Sequence, residues 1–301
     1  MSEAEVHLLN ERFGAPGRLV FTAGPGGFPV AEISNDHATA TVALHGAQPL
    51  AFQPRGQAPV LWVSRQAAFA PGKAIRGGIP ICWPWFGPHP SDPAKPSHGF
   101  ARTRPWRVLQ ADASSGSETT LRLGLSDDEA TRALWPHRFE LELLVSVGRE
   151  LQVTLVARNP GPEPFTCTGA LHSYFAVGDV PAVAIHGLDG CDYLDQIDGH
   201  RRKTQAGAVT FAGEVDRIYL DTDATCTIED GGLGRRIEVA KRGSRATIVW
   251  NPWVEKARRL SDFGDDEYRG MVCVETANAG EDVVTVPPGG EHQLAAMIGV
   301  R

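Results

Sequence analysis

The sequence predicts an all-β protein, a large antiparallel β-sandwich with a few short helices. Three observations carry that expectation. The 33 glycines and 22 prolines are spread along the chain and cut it into many short apolar segments, as turns between strands do. The clearest segments alternate apolar and polar residues with the period of 2 that a half-buried strand shows. No stretch of helical period is long enough to organise a core. At 301 residues the chain could hold two domains of about 100–200 residues or one sandwich of about 250. It has no linker, low-complexity tract, charge block or short repeat, so one domain over residues 1–301 is expected.

The elements follow in order. A short helix is expected at 3–12, then strands at 18–22, 39–44 and 120–125. A second short helix should follow Ser126, with Glu129 placed for a capping box. In 139–147 the residues Phe139, Leu141, Leu143, Val145 and Val147 form one apolar face, and 151–158 repeats the pattern after Gly148-Arg149-Glu150. That pair reads as a hairpin, closed by the hard turn Asn159-Pro160-Gly161-Pro162. Strands at 166–171 and 217–220 precede another hairpin, 225–229 with 236–240 across Gly231-Gly232-Leu233-Gly234. Further strands at 246–250, 271–276, 283–286 and 293–298 leave room for a third short helix at 254–263.

Lys and Arg total 29 against 36 Asp and Glu, a net charge of −7. Such a balance opposes binding to nucleic acid or to an anionic membrane, so a bound anion needs a local cationic cluster. Met1-Ser2-Glu3-Ala4-Glu5 carries acid where a signal peptide carries base, and no apolar run nears the roughly 20 residues of a membrane span. A cytoplasmic protein is expected. Its five cysteines (Cys82, Cys167, Cys191, Cys226, Cys273) are odd in number, widely spaced and without a C-x-x-C pair, and read as reduced and mostly buried.

The stretch from Lys73 to Trp106 holds too many Pro and Gly for regular structure, yet it carries Trp83, Trp85, Phe86 and Phe100 beside Arg76, His98, Arg102 and Arg104. Long ordered loops of this kind are more often functional than connecting. Aromatic faces suit the C–H faces of a sugar and Arg forks suit phosphate. The plainer alternative has the Trp residues plugging the sandwich and the Arg residues solvated. Elsewhere, His172 ends an apolar strand, and period 2 puts Cys273 and Glu275 on one face, where a carboxylate is costly unless paired or protonated. Taken singly, His172 reads as a core histidine, Glu275 as a strand-end carboxylate reaching solvent, and Asp216 as a turn or surface residue. The ten histidines form no H-x-H or H-E-x-x-H, so no metal is expected. Nucleotide-binding glycine motifs and the G-x-S-x-G elbow are missing from the sequence too.

Seven ordered blocks carry a family resemblance: AIRGGIPICWPWFGP, SHGFAR, SDDEATRALWPHRFELEL, LHSYF, VDRIY, VWNPWVEKARRLSDFGDDEY and MVCVETAN. Together, from about Leu44 to the C-terminus, the chain closely resembles the glucose-6-phosphate 1-epimerase group of the aldose 1-epimerase, or galactose mutarotase-like, superfamily. The resemblance implies a supersandwich with a concave sugar cleft and no cofactor, His172 and Glu275 as catalytic residues, and Arg76, His98, Arg102 and Asp216 as substrate contacts. The residue chemistry agrees: anomer exchange needs an acid and a base near neutral pH on opposite sides of the anomeric carbon, and a glutamate raised by burial with a histidine near ~6.5 would serve. The expected partner is a small hexose phosphate, bound by a monomer. A non-catalytic sugar-phosphate-binding sandwich is the alternative; a glycoside hydrolase would want two carboxylates.

Overall fold

In the computed structural model, which describes residues 3–301, strands run nearly end to end. The hairpin at Glu140–Val147 and Leu151–Arg158 shows why. Leu141, Leu143, Val145 and Val147 are buried while the residues between them are half-exposed or exposed, and Val147 pairs with Leu151 across the turn. This hairpin lies inside a nine-stranded antiparallel sheet. An eight-stranded sheet lies against it, and a four-stranded meander, Leu19–Ala23, Pro29–Ser34, Ala38–Ala43 and Gln48–Pro54, completes the architecture with a two-stranded ribbon. One buried apolar cluster draws on all of them, from Leu19 to Ile298.

The eight-stranded sheet positions the site because its two faces differ. Val215, Val249, Val272 and Val274 point into the shared core. Residues an odd number of positions away, Ile218, Ile248, Trp250 and Cys273, form a separate apolar cluster on the opposite face, as the strand period requires. The loops Lys73–Trp106 and 252–270 fold over that second face.

Several expectations needed correction. The helix at Glu129–Leu134 is capped by Asp128, whose side chain accepts from Thr131 N–H while the Thr131 hydroxyl accepts from Asp128 N–H, so the box begins at Asp128 and not at Ser126. The third α-helix covers only Trp253–Ala257. Beyond it the chain continues in three-residue turns that drive Phe263 against Trp62 and Trp250; burial of one aromatic overrides helical propensity. Strands Gln48–Pro54, Ile81–Cys82, Arg107–Asp112, Asp192–Asp195 and Arg201–Thr204 had no clean alternation, being short, proline-bearing or polar at a sheet edge. All five cysteines are free, four of them buried and Cys191 half-buried. Among the described residues no helix is long and apolar enough to cross a membrane.

Candidate active site

Strand Met271–Asn278 carries Glu275 at its fifth position, buried to 1 % exposure, so the reading of a solvent-reaching strand end is wrong. Its neighbour on one side is Ile248. On the other side two short strands share a single register, Leu171 opposite Thr276 and Tyr174 opposite Cys273. That register sets His172, in the gap between them, directly across from Glu275. Cross-strand residues share a face, and His172 Nε2 lies 3.4 Å from Glu275 Oε1. The His172 ring stacks on Tyr174 with centroids 4.8 Å apart, and its backbone N–H donates to the Pro80 carbonyl. Farther along the sheet Asp216 pairs with Trp250, which puts the Asp216 carboxylate on the same face.

The Lys73–Trp106 loop supplies the roof. His98 and Gly99 both take left-handed backbone angles, and a Cβ at Gly99 would fall 2.0 Å from the Trp83 carbonyl oxygen, so only glycine fits there. The reversal hydrogen-bonds His98 N–H to the Gly87 carbonyl and lets His98 Nδ1 accept from Gly87 N–H at 3.3 Å. With Nδ1 an acceptor, the neutral ring carries its proton on Nε2. Trp83 and Trp85 are core plugs, as the plainer reading held, whereas Phe86 borders the cavity.

All six expected residues, Arg76, His98, Arg102, His172, Asp216 and Glu275, line one cavity of about 350 Å³, a size within the roughly 300–1,000 Å³ of small-ligand sites. A larger open groove of about 550 Å³ meets it at Phe86 and Gln196 but contains none of the six. Arg76 is held by a two-pronged pair with Asp262, at 3.1 and 3.2 Å, and donates to the Tyr174 hydroxyl at 3.1 Å. Arg102 donates to the Ser97 carbonyl, and its buried Nε has no partner. Trp250 and Lys256, which sequence reasoning passed over, also line the cavity; Lys256 bridges Asp216 at 3.2 Å and Glu214 at 2.9 Å. Their signal was present in the WNPWVEK block but had no role attached.

Burial dominates the titration of the pair. It pushes Glu275 well above the ordinary carboxylate value, with Asp216 adding and Arg102 opposing. Burial and then the nearby His98, Arg102 and Arg76 hold His172 well below the usual imidazole value, which corrects the expectation of a histidine near neutrality. His98 is driven down to about 3 by burial and the two guanidinium groups, and stays neutral. Asp216 is raised by desolvation, against the pull of Lys256. His172 Nδ1 and Glu275 Oε2 are buried without hydrogen-bond partners. Cys273 joins His172 and Glu275 within 4.8 Å, a possible metal set, but two guanidinium groups on the same wall repel a dication and burial keeps the thiol protonated. His172 and Glu275, expected as an acid and a base on opposite sides of the anomeric carbon, lie side by side 3.4 Å apart on one wall.

The family model of aldose 1-epimerase matches residues 29–297. A protein of Salmonella typhimurium provisionally named glucose-6-phosphate 1-epimerase is 39 % identical over 248 residues, 82 % of each chain. One from Escherichia coli with the same provisional name is 37 % identical over 83 % of each. Among solved structures, a provisionally named mutarotase from Salmonella typhimurium superposes with a TM-score of 0.89 at 34 % identity, covering 98 % of this chain and 99 % of that one. A galactose mutarotase related enzyme of Lactobacillus acidophilus shares the fold, with a TM-score of 0.72 at 15 % identity and coverage of 90 % and 97 %.

Proposed function

The chain belongs to the aldose 1-epimerase family, and on that premise we propose that it is an isomerase interconverting the α and β anomers of a hexose 6-phosphate, glucose 6-phosphate first, without a cofactor. The observation that carries this reading is the in-register opposition of His172 and Glu275 at 3.4 Å in the wall of one cavity with Arg76, His98, Arg102 and Asp216.

The chemistry follows from the geometry. The C1 hydroxyl and the ring oxygen sit on the same carbon, so an acid and a base side by side can reach one each. Glu275 as carboxylate takes the C1 hydroxyl proton while His172 as imidazolium gives its proton to the ring oxygen. The C1–O5 bond breaks and C1 becomes an aldehyde. Rotation about C1–C2 presents the other carbonyl face, and reclosure runs both transfers backwards, returning each proton. One proton on the pair therefore suffices. A carboxylate with a raised pKa is a stronger base and an imidazolium with a lowered pKa a stronger acid, so both shifts drive the opening step. Protonated Glu275 beside neutral His172, the arrangement burial favours, is the state that accompanies the open chain. His98 Nε2–H and Asp216 hold sugar oxygens, and Arg76 and Arg102 hold the phosphate by charge-assisted bonds.

The test is exchange NMR or polarimetry on freshly dissolved glucose 6-phosphate. The wild-type protein should speed anomer exchange well above buffer, and Glu275→Gln or His172→Ala should each lower kcat about 10²–10⁴-fold while sugar-phosphate binding survives. Wild-type rates in either variant would remove that residue from the mechanism. Binding without exchange in the wild type would leave a sugar-phosphate binder instead.

A further inference from the structure

Beside the acid/base cavity lies a second one of about 420 Å³, and the two share Arg76, Arg102 and Leu260 as a common wall. Its lining holds four cations, Lys73, Arg76, Arg102 and Arg259, against a single carboxylate, Asp262. In a chain of net charge −7 this is a local reversal of sign. Asp262 is already spent on Arg76. Arg102 has a carbonyl partner but no carboxylate, and its buried Nε has no acceptor at all. Arg259 donates only to the Glu255 backbone carbonyl, at 3.2 Å, and Lys73 is exposed. Three cations thus have no carboxylate partner around one hollow, which concentrates positive potential there and favours an anion.

We propose that this second cavity is the phosphate chamber of the enzyme, with Lys73 and Arg259 as specificity-determining residues in addition to Arg76 and Arg102. The inference rests on the hexose 6-phosphate reading and extends it. The substrate lies across the shared wall, C1 at His172 and Glu275, the phosphate beyond Arg76 and Arg102. A phosphate monoester carries about −1.5 to −2 at pH 7, which offsets about half to two-thirds of those three positive charges. Lys73 and Arg259, both exposed, come from two separate segments, the loop before Arg76 and the turn after the helix Trp253–Ala257. They therefore act on the outer phosphate oxygens and leave the sugar to the sheet.

The test pairs two measurements on Lys73→Met, Arg259→Met and the double variant, both positions being exposed so that folding should survive. In the first, inorganic phosphate is titrated into the protein by calorimetry. Wild type should bind it, and the double variant should bind about 10- to 25-fold more weakly, as two partly exposed charge contacts of up to about 5-fold each would give. In the second, kcat/KM is compared for glucose 6-phosphate and glucose; the ratio between them should fall by the same factor, through KM and not kcat. Wild type that binds no phosphate, or double-variant losses equal on both sugars, would overturn the chamber. Phosphate binding that depends on Lys73 and Arg259 in a protein that exchanges no anomers would instead sink the reaction and leave the chamber standing.

Discussion

At the scale of single residues, the pair His172 and Glu275 makes the pH profile the sharpest probe. In the proposed mechanism the competent form holds one proton between them; two leave no base and none leaves no acid. Because His172 is displaced downwards, adding the second proton should occur below the ordinary imidazole range, and because Glu275 is displaced upwards, losing the first should occur above the ordinary carboxylate range. The limbs of kcat/KM belong to the pair and not to either residue. Free glucose should be the substrate for this measurement, since the phosphate of glucose 6-phosphate titrates near ~6. The expectation is an acid limb below 6.5 and an alkaline limb above 4.5, with the alkaline limb gone in Glu275→Gln. An acid limb in the wild type at or above 6.5 would mean that His172 is not held down by its surroundings. Motif blocks singled out the six residues that the fold gathers around one cavity. What the sequence could not express was their adjacency: His172 and Glu275 are 103 positions apart (275 − 172), and only the shared register of two interrupted strands places them face to face.

At the scale of elements, the strands that sequence patterns revealed are those with one face in the core, such as Glu140–Val147. Those that escaped are edges such as Arg201–Thr204, whose residues are mostly exposed and whose cross-strand side-chain pairs, to Asp192 and Asp195, are polar. Turns that join elements escaped as well, and one of them is built on a buried charge. Glu267, at 8 % exposure, accepts from the Ser64 hydroxyl, Arg65 N–H, Arg65 Nε–H and Gly264 N–H. It thereby ties the loop beneath Arg76 to the loop that carries Asp262. Burial alone would raise its pKa, but these hydrogen bonds outweigh it and hold the group below its ordinary value. A depressed folded-state pKa gives stability that is present above the unfolded value and lost as pH falls through the folded one. Glu267→Gln should therefore destabilise at pH 7 by about 1–3 kcal/mol, and the difference from wild type should shrink as pH drops below about 4.5. Denaturant melts at pH 7 and at pH 4 check it; an equal difference at both would mean that the charge on Glu267 is irrelevant.

At the scale of the whole molecule, a sandwich is held mainly by the apolar residues between its sheets, and that much followed from alternation alone. Alternation is silent about polar ties across the layers. Arg235, buried in the nine-stranded sheet, donates to the carbonyls of Ala58, Pro59 and Ala176, the last of these in the eight-stranded sheet. Its Nε lies 3.6 Å from the Asp230 carboxylate, which in turn accepts from Gly178 and Leu233 N–H. Both side chains are almost wholly enclosed, at 5 % and 0 % exposure. Such a pair gives little net stability over an apolar replacement, but removing one partner strands the other charge and costs about 3–5 kcal/mol. Arg235→Met should fall in that range, because three carbonyls lose their donor and Asp230 loses its counter-charge. Adding Asp230→Asn to that variant should recover part of the loss, since the amide keeps an acceptor for Gly178 and Leu233 without leaving a buried charge alone. Melts of the two single variants and the double complete the cycle. A double variant no more stable than Arg235→Met would show that the carbonyl contacts, and not the charge on Asp230, are what Arg235 contributes to joining the sheets.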